Sequence, residues 1–277
     1  MLDFERVYVD SRFKAPFSES NTNFKFELVD DIYLPPATKL FIDDITIPIS
    51  FYTVKEDIND RLYVRLLSSV ANGMNNIGDA IVIIPPGNYN IESLRDKLQE
   101  ILNTAFPNRF SVESNIRENK FTIKIVTAEN FMVWTDEDLK RKITSTGGWN
   151  GLAYDAANLK SFNTNIKNTG ASTISKNGTP FVSGFVDFLN VHTLYLHSNL
   201  SSYNSLNYTG KCNIIKKICV TSSFGYLQND SAVMESDFII VGNRVFKTLE
   251  FSLRDAYGNV IDLHGGHISF TLRFIAN

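Results

Sequence analysis

Cysteine is nearly missing from this chain, with two residues in 277, Cys212 and Cys219. Both lie in one strand-like phrase, CNIIKKICV, at an odd separation, and a strand sends alternate side chains to opposite faces. They therefore cannot easily share a disulfide or a metal. Both are expected to be ordinary thiols of a protein kept in a reducing compartment. Histidine is scarce too, with four residues. Charged residues are slightly below average at 21% and the net charge is −3, so no broad basic field offers itself to nucleic acid. No hydrophobic run approaches the roughly 18 residues that a membrane-spanning helix needs, so no membrane insertion is expected. The opening MLDFERVYVDSRFK is interrupted by charges at once and reads as neither signal nor transit peptide.

What the chain has is strand material. Hydrophobic residues make up 43%, with 21 Phe and 11 Tyr, residue types that favour half-buried strands. The clearest stretch is Val245 to Phe274. Leu249, Phe251 and Leu253 alternate with Thr248, Glu250, Ser252 and Arg254. Ile268, Phe270, Leu272 and Phe274 alternate with Ser269, Thr271 and Arg273. Each run has one apolar and one polar face, as an antiparallel strand on a core requires. The link from Asp255 to Gly266 is far longer than a tight hairpin turn. It is expected to carry the chain from one sheet of a sandwich to the other.

The N-terminal part supplies matching strands at Arg6–Asp10, Asn23–Leu28 and Thr38–Ile49. A bulge is expected at Asp43-Asp44, and at Pro48 the strand is expected to end or to reach an edge. Arg61–Leu67 reads as a further strand, followed by a polar loop from Ser68 to Asp79. The texture then changes. Ala80–Ile84 is a buried strand. Asn90 is placed to cap a helix whose stripe is Ile91, Leu94, Leu98, Ile101 and Leu102. Strands follow at Phe110–Glu113, Phe121–Val126 and Phe131–Trp134, then a short helix at Asp136–Lys142 with acids first and bases last. Residues 144–180 are rich in Ser, Thr, Asn and Gly and are expected to form a long surface connection. Strands resume at Phe185–Asp187, His192–Leu196, Ile214–Thr221 and Phe238–Val241. The expected architecture is mainly β. It is a single eight-stranded antiparallel jelly-roll sandwich built from 1–79 and 186–277, with an α+β domain inserted at 80–185 (a strand-helix-hairpin unit at about 80–142 and the polar region 144–180).

Catalytic and metal-binding patterns are weak throughout. His264-Gly265-Gly266-His267 brings two histidines close, but a zinc site needs three or four ligands and no GxSxG elbow accompanies them. The glycines more simply serve a tight corner. His192 and His197 fall on opposite faces of one strand. Asp30-Asp31, Asp43-Asp44 and Asp136-Glu137-Asp138 lack the spaced calcium-loop pattern, although a cation at a subunit interface would draw on such carboxylates. Gly73, Gly78 and Gly87 form no phosphate-cradling loop. Trp134, Trp149, Tyr154 and Phe162 read as anchors of the insert rather than a ligand platform. Four Asn-x-Ser/Thr matches, at Asn177, Asn199, Asn207 and Asn229, are what an Asn-rich chain produces by chance. No catalytic residue, cofactor or metal ligand is assigned, and the chain is not read as an enzyme. A cupin-like enzyme would need clustered histidines and a carboxylate facing into the barrel.

The order of phrases is more specific than any one of them. VYVDSR is followed by NFKFEL, LPPATKLFIDDITIP, IPPGNYNIESLRDKLQEILN, HTLYLHSNLSSYN, NIIKKICV and LEFSLRDAYGNVIDLHGGHISFTLRF. This series resembles the penton, or vertex, minor capsid proteins of virophages, polinton-like viruses and adintoviruses, with relatives among double-jelly-roll DNA viruses. The resemblance covers nearly the whole chain except 144–180. It implies a virion protein made in the host cytoplasm. Its radially oriented jelly roll would carry an outward insertion domain, five copies filling each icosahedral five-fold vertex beside a separate major capsid protein. The small basic clusters, Lys211, Lys216 and Lys217 and Lys140, Arg141 and Lys142, would at most make a weak contact with the genome from the inner side. A second expectation gives the insertion domain an attachment role toward a host receptor or glycan.

Overall fold

The computed structural model describes residues 6–71, 73–146, 159–189, 191–201, 205–207, 210–231, 238–242 and 244–276. The chain divides into two compact units: Met1–Phe51 with Val191–Asn277, and Tyr52–Asn190. The strands begin with β1 (Arg6–Asp10), β2 (Asn23–Leu34), β3 (Lys39–Pro48), β4 (Arg61–Val70) and β5 (Gly73–Ile83). Helix α1 (Ile91–Ala105) precedes β6 (Phe110–Asn115), β7 (Lys120–Ile125) and β8 (Asn130–Val133). Helix α2 (Asp136–Thr146) precedes the short β9 (Ile174–Ser175) and β10 (Phe181–Val182). Then come β11 (Thr193–Ser198), β12 (Ser205–Asn207), β13 (Gly210–Cys212) and β14 (Ile214–Cys219). The last four are β15 (Leu227–Ser231), β16 (Ile239–Ile240), β17 (Arg244–Arg254) and β18 (Ser269–Ile275).

In the first unit one sheet runs β1-β18-β3-β15, with β16 also on β3, and the other runs β14-β11-β17-β2. Every pairing in both is antiparallel. The arrangement is consistent with a jelly roll. β1 pairs with β18 from Arg6 opposite Arg273 to Asp10 opposite Ser269, so the opening strand lies beside the closing one. The expected bulge is present: Thr271 faces Asp44 and Leu272 faces Ile42, which leaves Asp43 as the extra residue. β17 belongs to the four-stranded sheet and β18 to the five-stranded one, so the link between them does change sheets. Inward residues such as Phe24, Ile45, Leu196, Leu249, Phe251 and Phe270 are buried, each contributing about 1.5–3 kcal/mol by leaving water.

The second unit holds the sheets β5-β4-β8-β9 and β10-β7-β6. Asn90 caps α1 by accepting from Glu92 N (3.1 Å) and Ser93 N (2.8 Å), while Ser93 Oγ accepts from Asn90 N. Of the predicted stripe, Ile91, Leu94, Leu98 and Leu102 are buried in one core with Phe110, Phe121 and Phe131, and Ile101 packs against it partly buried. Gln99 and Asn103 stitch the helix to β6 through Phe110 O and Val112 N.

The structure shifts several expected boundaries. Arg61–Leu67 was assigned above to the frame, but β4 pairs with β5 and β8, so the second unit begins at Tyr52 instead of Ala80 and ends at Asn190 instead of Phe185. The polar stretch Ser68–Asp79 is the far end of the β4–β5 hairpin, with Ser68 opposite Asn75 and Val70 opposite Gly73. Backbone pairing simply continues past the last buried side chains. Leu227–Ser231, LQNDS, has no alternation that reads as a strand, yet it pairs with β3 from Pro48 to Asp44. Phe185–Asp187 is irregular; Val186 is buried and its N–H bonds Asn119 O. Within 144–180, residues 147–158 lie outside the described ones, while Phe162 and Ile166 are buried in the core of the second unit. That part is therefore more than a surface connection.

Candidate assembly surface

The strand registers of the first unit bring four connecting segments to one end. Asp10 at the end of β1 faces Ser269 at the start of β18. Thr46, near the end of β3, faces that same Ser269, and Pro48 faces Leu227 at the start of β15. Segments 11–22, 49–51, 220–226 and 255–268 therefore meet there, and hydrogen bonds tie them together. Ser11 N bonds Ile268 O (3.0 Å), Asn21 Nδ2 reaches the carbonyls of Gly265 and Gly266 (both 3.1 Å), and Thr22 Oγ1 donates to Ile261 O (2.6 Å). Ser50 Oγ donates to Leu263 O (2.7 Å), and Ile49 N bonds Tyr226 O (2.9 Å).

The two glycines of the His-Gly-Gly-His phrase make this corner. Gly265 sits at φ 86°, a left-handed conformation that glycine adopts without steric penalty. At Gly266 a Cβ would lie 2.8 Å from Pro48 Cγ and 3.0 Å from Leu263 O. The flanking histidines diverge: His264 Nδ1 lies 3.5 Å from Asp262, and His267 Nδ1 lies 3.2 Å from Ser11 Oγ. Among the described residues, no three of His, Cys, Asp and Glu gather into a ligand set. Asp10 caps the turn Ser11–Phe13 through Arg12 N, and the Arg12 guanidinium grips both of its oxygens. That hydrogen bonding holds the Asp10 carboxyl below the usual carboxylate range, against the opposing effect of its partial burial.

Large apolar side chains project from this ordered end. Phe17 is 96% exposed, Tyr257 77%, Phe13 74% and Tyr226 70%. Aromatic residues on hydrogen-bonded loops are the composition of interaction surfaces. They escape a reading based on periodicity. The signal that finds them is an apolar letter inside a segment otherwise read as a loop.

No protein-family model matches the chain, and no curated protein matches it. A solved structure does. The crystal structure of the selenomethionine-labelled mavirus penton protein is similar over 98% of this chain and 98% of its own, with a TM-score of 0.55 and 10% sequence identity. At that identity the likeness is one of fold.

The remaining singled-out residues are dispersed. His197 Nδ1 lies 2.8 Å from Asn213 Oδ1, and burial holds its pKa below the ordinary value. His192 precedes β11. Asp30 and Asp31 are exposed on β2, and Asp43 meets Arg6 at 3.4 Å. Asp136 accepts from Asn163 Nδ2 and Asp138 from Ser172 N, so both acids bind a loop of their own unit. The Ser172 backbone bond holds the Asp138 carboxyl below its usual range. Lys216 is buried and lies 3.7 Å from Asp230, so it shares no exposed cluster with Lys217. Trp134 carries the Arg65 guanidinium over its ring at 5.0 Å and Phe162 is buried, while Trp149 and Tyr154 lie outside the described residues. Gly73 turns the β4–β5 hairpin, Gly78 stands against Phe106, and Gly87 bridges to Val54. Cys212 is buried and Cys219 exposed, and both are free.

Proposed function

We propose that the chain is a penton-type minor capsid subunit. Residues of the first unit form a single eight-stranded jelly roll, and 52–190 form a domain inserted between its third and fourth strands. Five copies assemble at an icosahedral five-fold vertex beside a separate major capsid protein. The observation that carries this reading is the full-length likeness of fold to the mavirus penton protein. The strand orders support it: β1-β18-β3-β15 and β14-β11-β17-β2 interleave early and late strands as two sheets of one eight-stranded roll do, with β16 prolonging β15 along β3. The role is geometric rather than catalytic. Cyclic assembly needs two different patches that fit each other around a closing rotation, and the ordered aromatic end adds a surface of the kind that partners cover.

Mass photometry and electron microscopy of the purified chain test the proposal. The expected result is five-fold rings with a mass of five 31.3 kDa subunits. A chain that stays monomeric at tens of micromolar and is absent from virion vertices would overturn it.

A further inference from the structure

The sandwich has two sides. β1 and β2 are the outer strands on one, where residues 15–20 cover the start of β2 (Ala15 N bonds Lys25 O, 2.8 Å) and leave uncovered the part from Glu27 onward, and β14 and β15 are the outer strands on the other. Lys216 Nζ, on β14, lies 3.7 Å from Asp230 on β15, which places those two strands on the same side across the sheets. β2 and β14 are separated by two strands, roughly 14 Å at the usual spacing, and face away from each other.

Among the described residues, the two sides differ in charge. On β2, Lys25 is matched by Glu250 (2.9 Å). Register with β17 is lost after Glu27: Thr248 faces Glu27 but Phe246 faces Ile32, so 28–31 bulge outward opposite Lys247. This bulge carries Val29, 91% exposed, with Asp30 and Asp31. Lys247 turns toward Asp31 (3.9 Å). Glu27 and Asp30 are exposed and meet no cation among the described residues. On the far side Lys217 is exposed on β14 and meets no carboxylate among the described residues. Leu227, at the start of β15, is 57% exposed beside Tyr226.

We propose that these sides bind each other head to tail. In each contact Glu27 and Asp30 of one copy face Lys217 of the next, and Val29 packs on the neighbour's Tyr226 and Leu227. The occupant is a second copy of this chain, because the complementary charge and the complementary apolar surface are on the same molecule at opposite edges. Such a heterologous contact repeats around a ring. The internal Lys216–Asp230 pair marks the β14/β15 side as one kept from pairing by backbone alone, since inward charge protects a sheet edge. Side-chain complementarity then selects the partner. This inference rests on the oligomeric reading above and names the surfaces that close the oligomer.

The test is charge reversal read by mass photometry. Lys217→Glu, and separately Glu27→Lys with Asp30→Lys, are expected to raise the concentration for half-assembly at least tenfold. All three substitutions in one chain are expected to restore it toward the parent value. Raised salt should weaken the parent ring, since exposed charges are screened beyond about 10 Å at 0.1 M. All sites are exposed, so circular dichroism should match the parent. Reversals that assemble like the parent, or a combined variant no better than the single-side ones, overturn the surface assignment while leaving the ring reading intact. A parent chain that never forms rings overturns both.

Discussion

Phe251 and Phe270 meet edge to face, with ring centroids 4.8 Å apart and planes at 77°. The first lies on β17 of the four-stranded sheet and the second on β18 of the five-stranded sheet. The pair therefore forms part of the seam between sheets, where the closing stretch of the chain packs against itself. Phe24 extends the cluster, its ring 5.6 Å from that of Phe251. Truncating Phe270 to Ala removes a buried ring and this contact, at an expected cost of about 3–5 kcal/mol. Urea unfolding followed by tryptophan-independent circular dichroism should show it. A cost below about 1 kcal/mol would mean that the sheets are not joined there.

Much of this frame is written in alternation. β1, β17 and β18 are half-buried antiparallel strands, and their polar and apolar letters take turns because one face is wet. The bulge at Asp43 was legible because two adjacent acids cannot both keep the period. Alternation tells which face is buried, but not which strand lies alongside. RLYVRLL is buried along most of its length and would suit a core strand in either unit. Its true partners, β5 and β8, appear only in three dimensions. β15 escaped for a different reason: its inward Gln228 is buried but satisfied, accepting from Thr221 N (2.8 Å) and Ser222 N (3.0 Å). A polar letter at a core position hides a strand whenever local backbone groups meet its needs. The aromatic end was not legible as a surface, because the sequence shows apolar letters but not whether a loop buries them.

Arg65 and Asp79 form a bidentate ion pair across the β4–β5 hairpin, with both contacts at 2.6 Å and the aspartate side chain wholly buried. The guanidinium also stacks over Trp134. Removing one partner strands the other charge away from water. Asp79→Ala is therefore expected to cost about 3–5 kcal/mol, whereas replacing both residues with apolar ones of similar volume should cost far less. Thermal unfolding of the single and double variants checks this. Equal losses in the two would show that the pair is valued for shape and not for charge balance.

Asn90 supplies the helix cap that the sequence proposed. Its Oδ1 satisfies two backbone donors that the first turn of α1 leaves open, and Ser93 returns the favour at Asn90 N. Asn90→Ala should destabilise the second unit by about 1 kcal/mol, and Asn90→Asp or Asn90→Ser should recover most of it. Hydrogen exchange of the Glu92 and Ser93 amides gives a local readout. Unchanged protection at both in the alanine variant would contradict the cap.

His197 links stability to pH through burial. Its ring, on β11, is half-buried, and desolvation disfavours the charged form more than the Asn213 oxygen favours it, so its folded pKa lies below the ordinary 6.5. Above pH 6.5 the ring is neutral in both the folded and the unfolded chain and imposes no penalty. As pH falls through 6.5 the unfolded chain takes up a proton first, which draws the equilibrium toward unfolding until the folded ring can protonate too. His197 should therefore make the first unit less stable between pH 7 and 5. His197→Gln keeps a polar group within reach of Asn213 but cannot titrate. Chemical denaturation of both chains across that range should show the parent losing stability relative to the variant as acid is added. Parallel curves would mean that the ring takes up its proton as readily folded as unfolded, and that burial does not govern it.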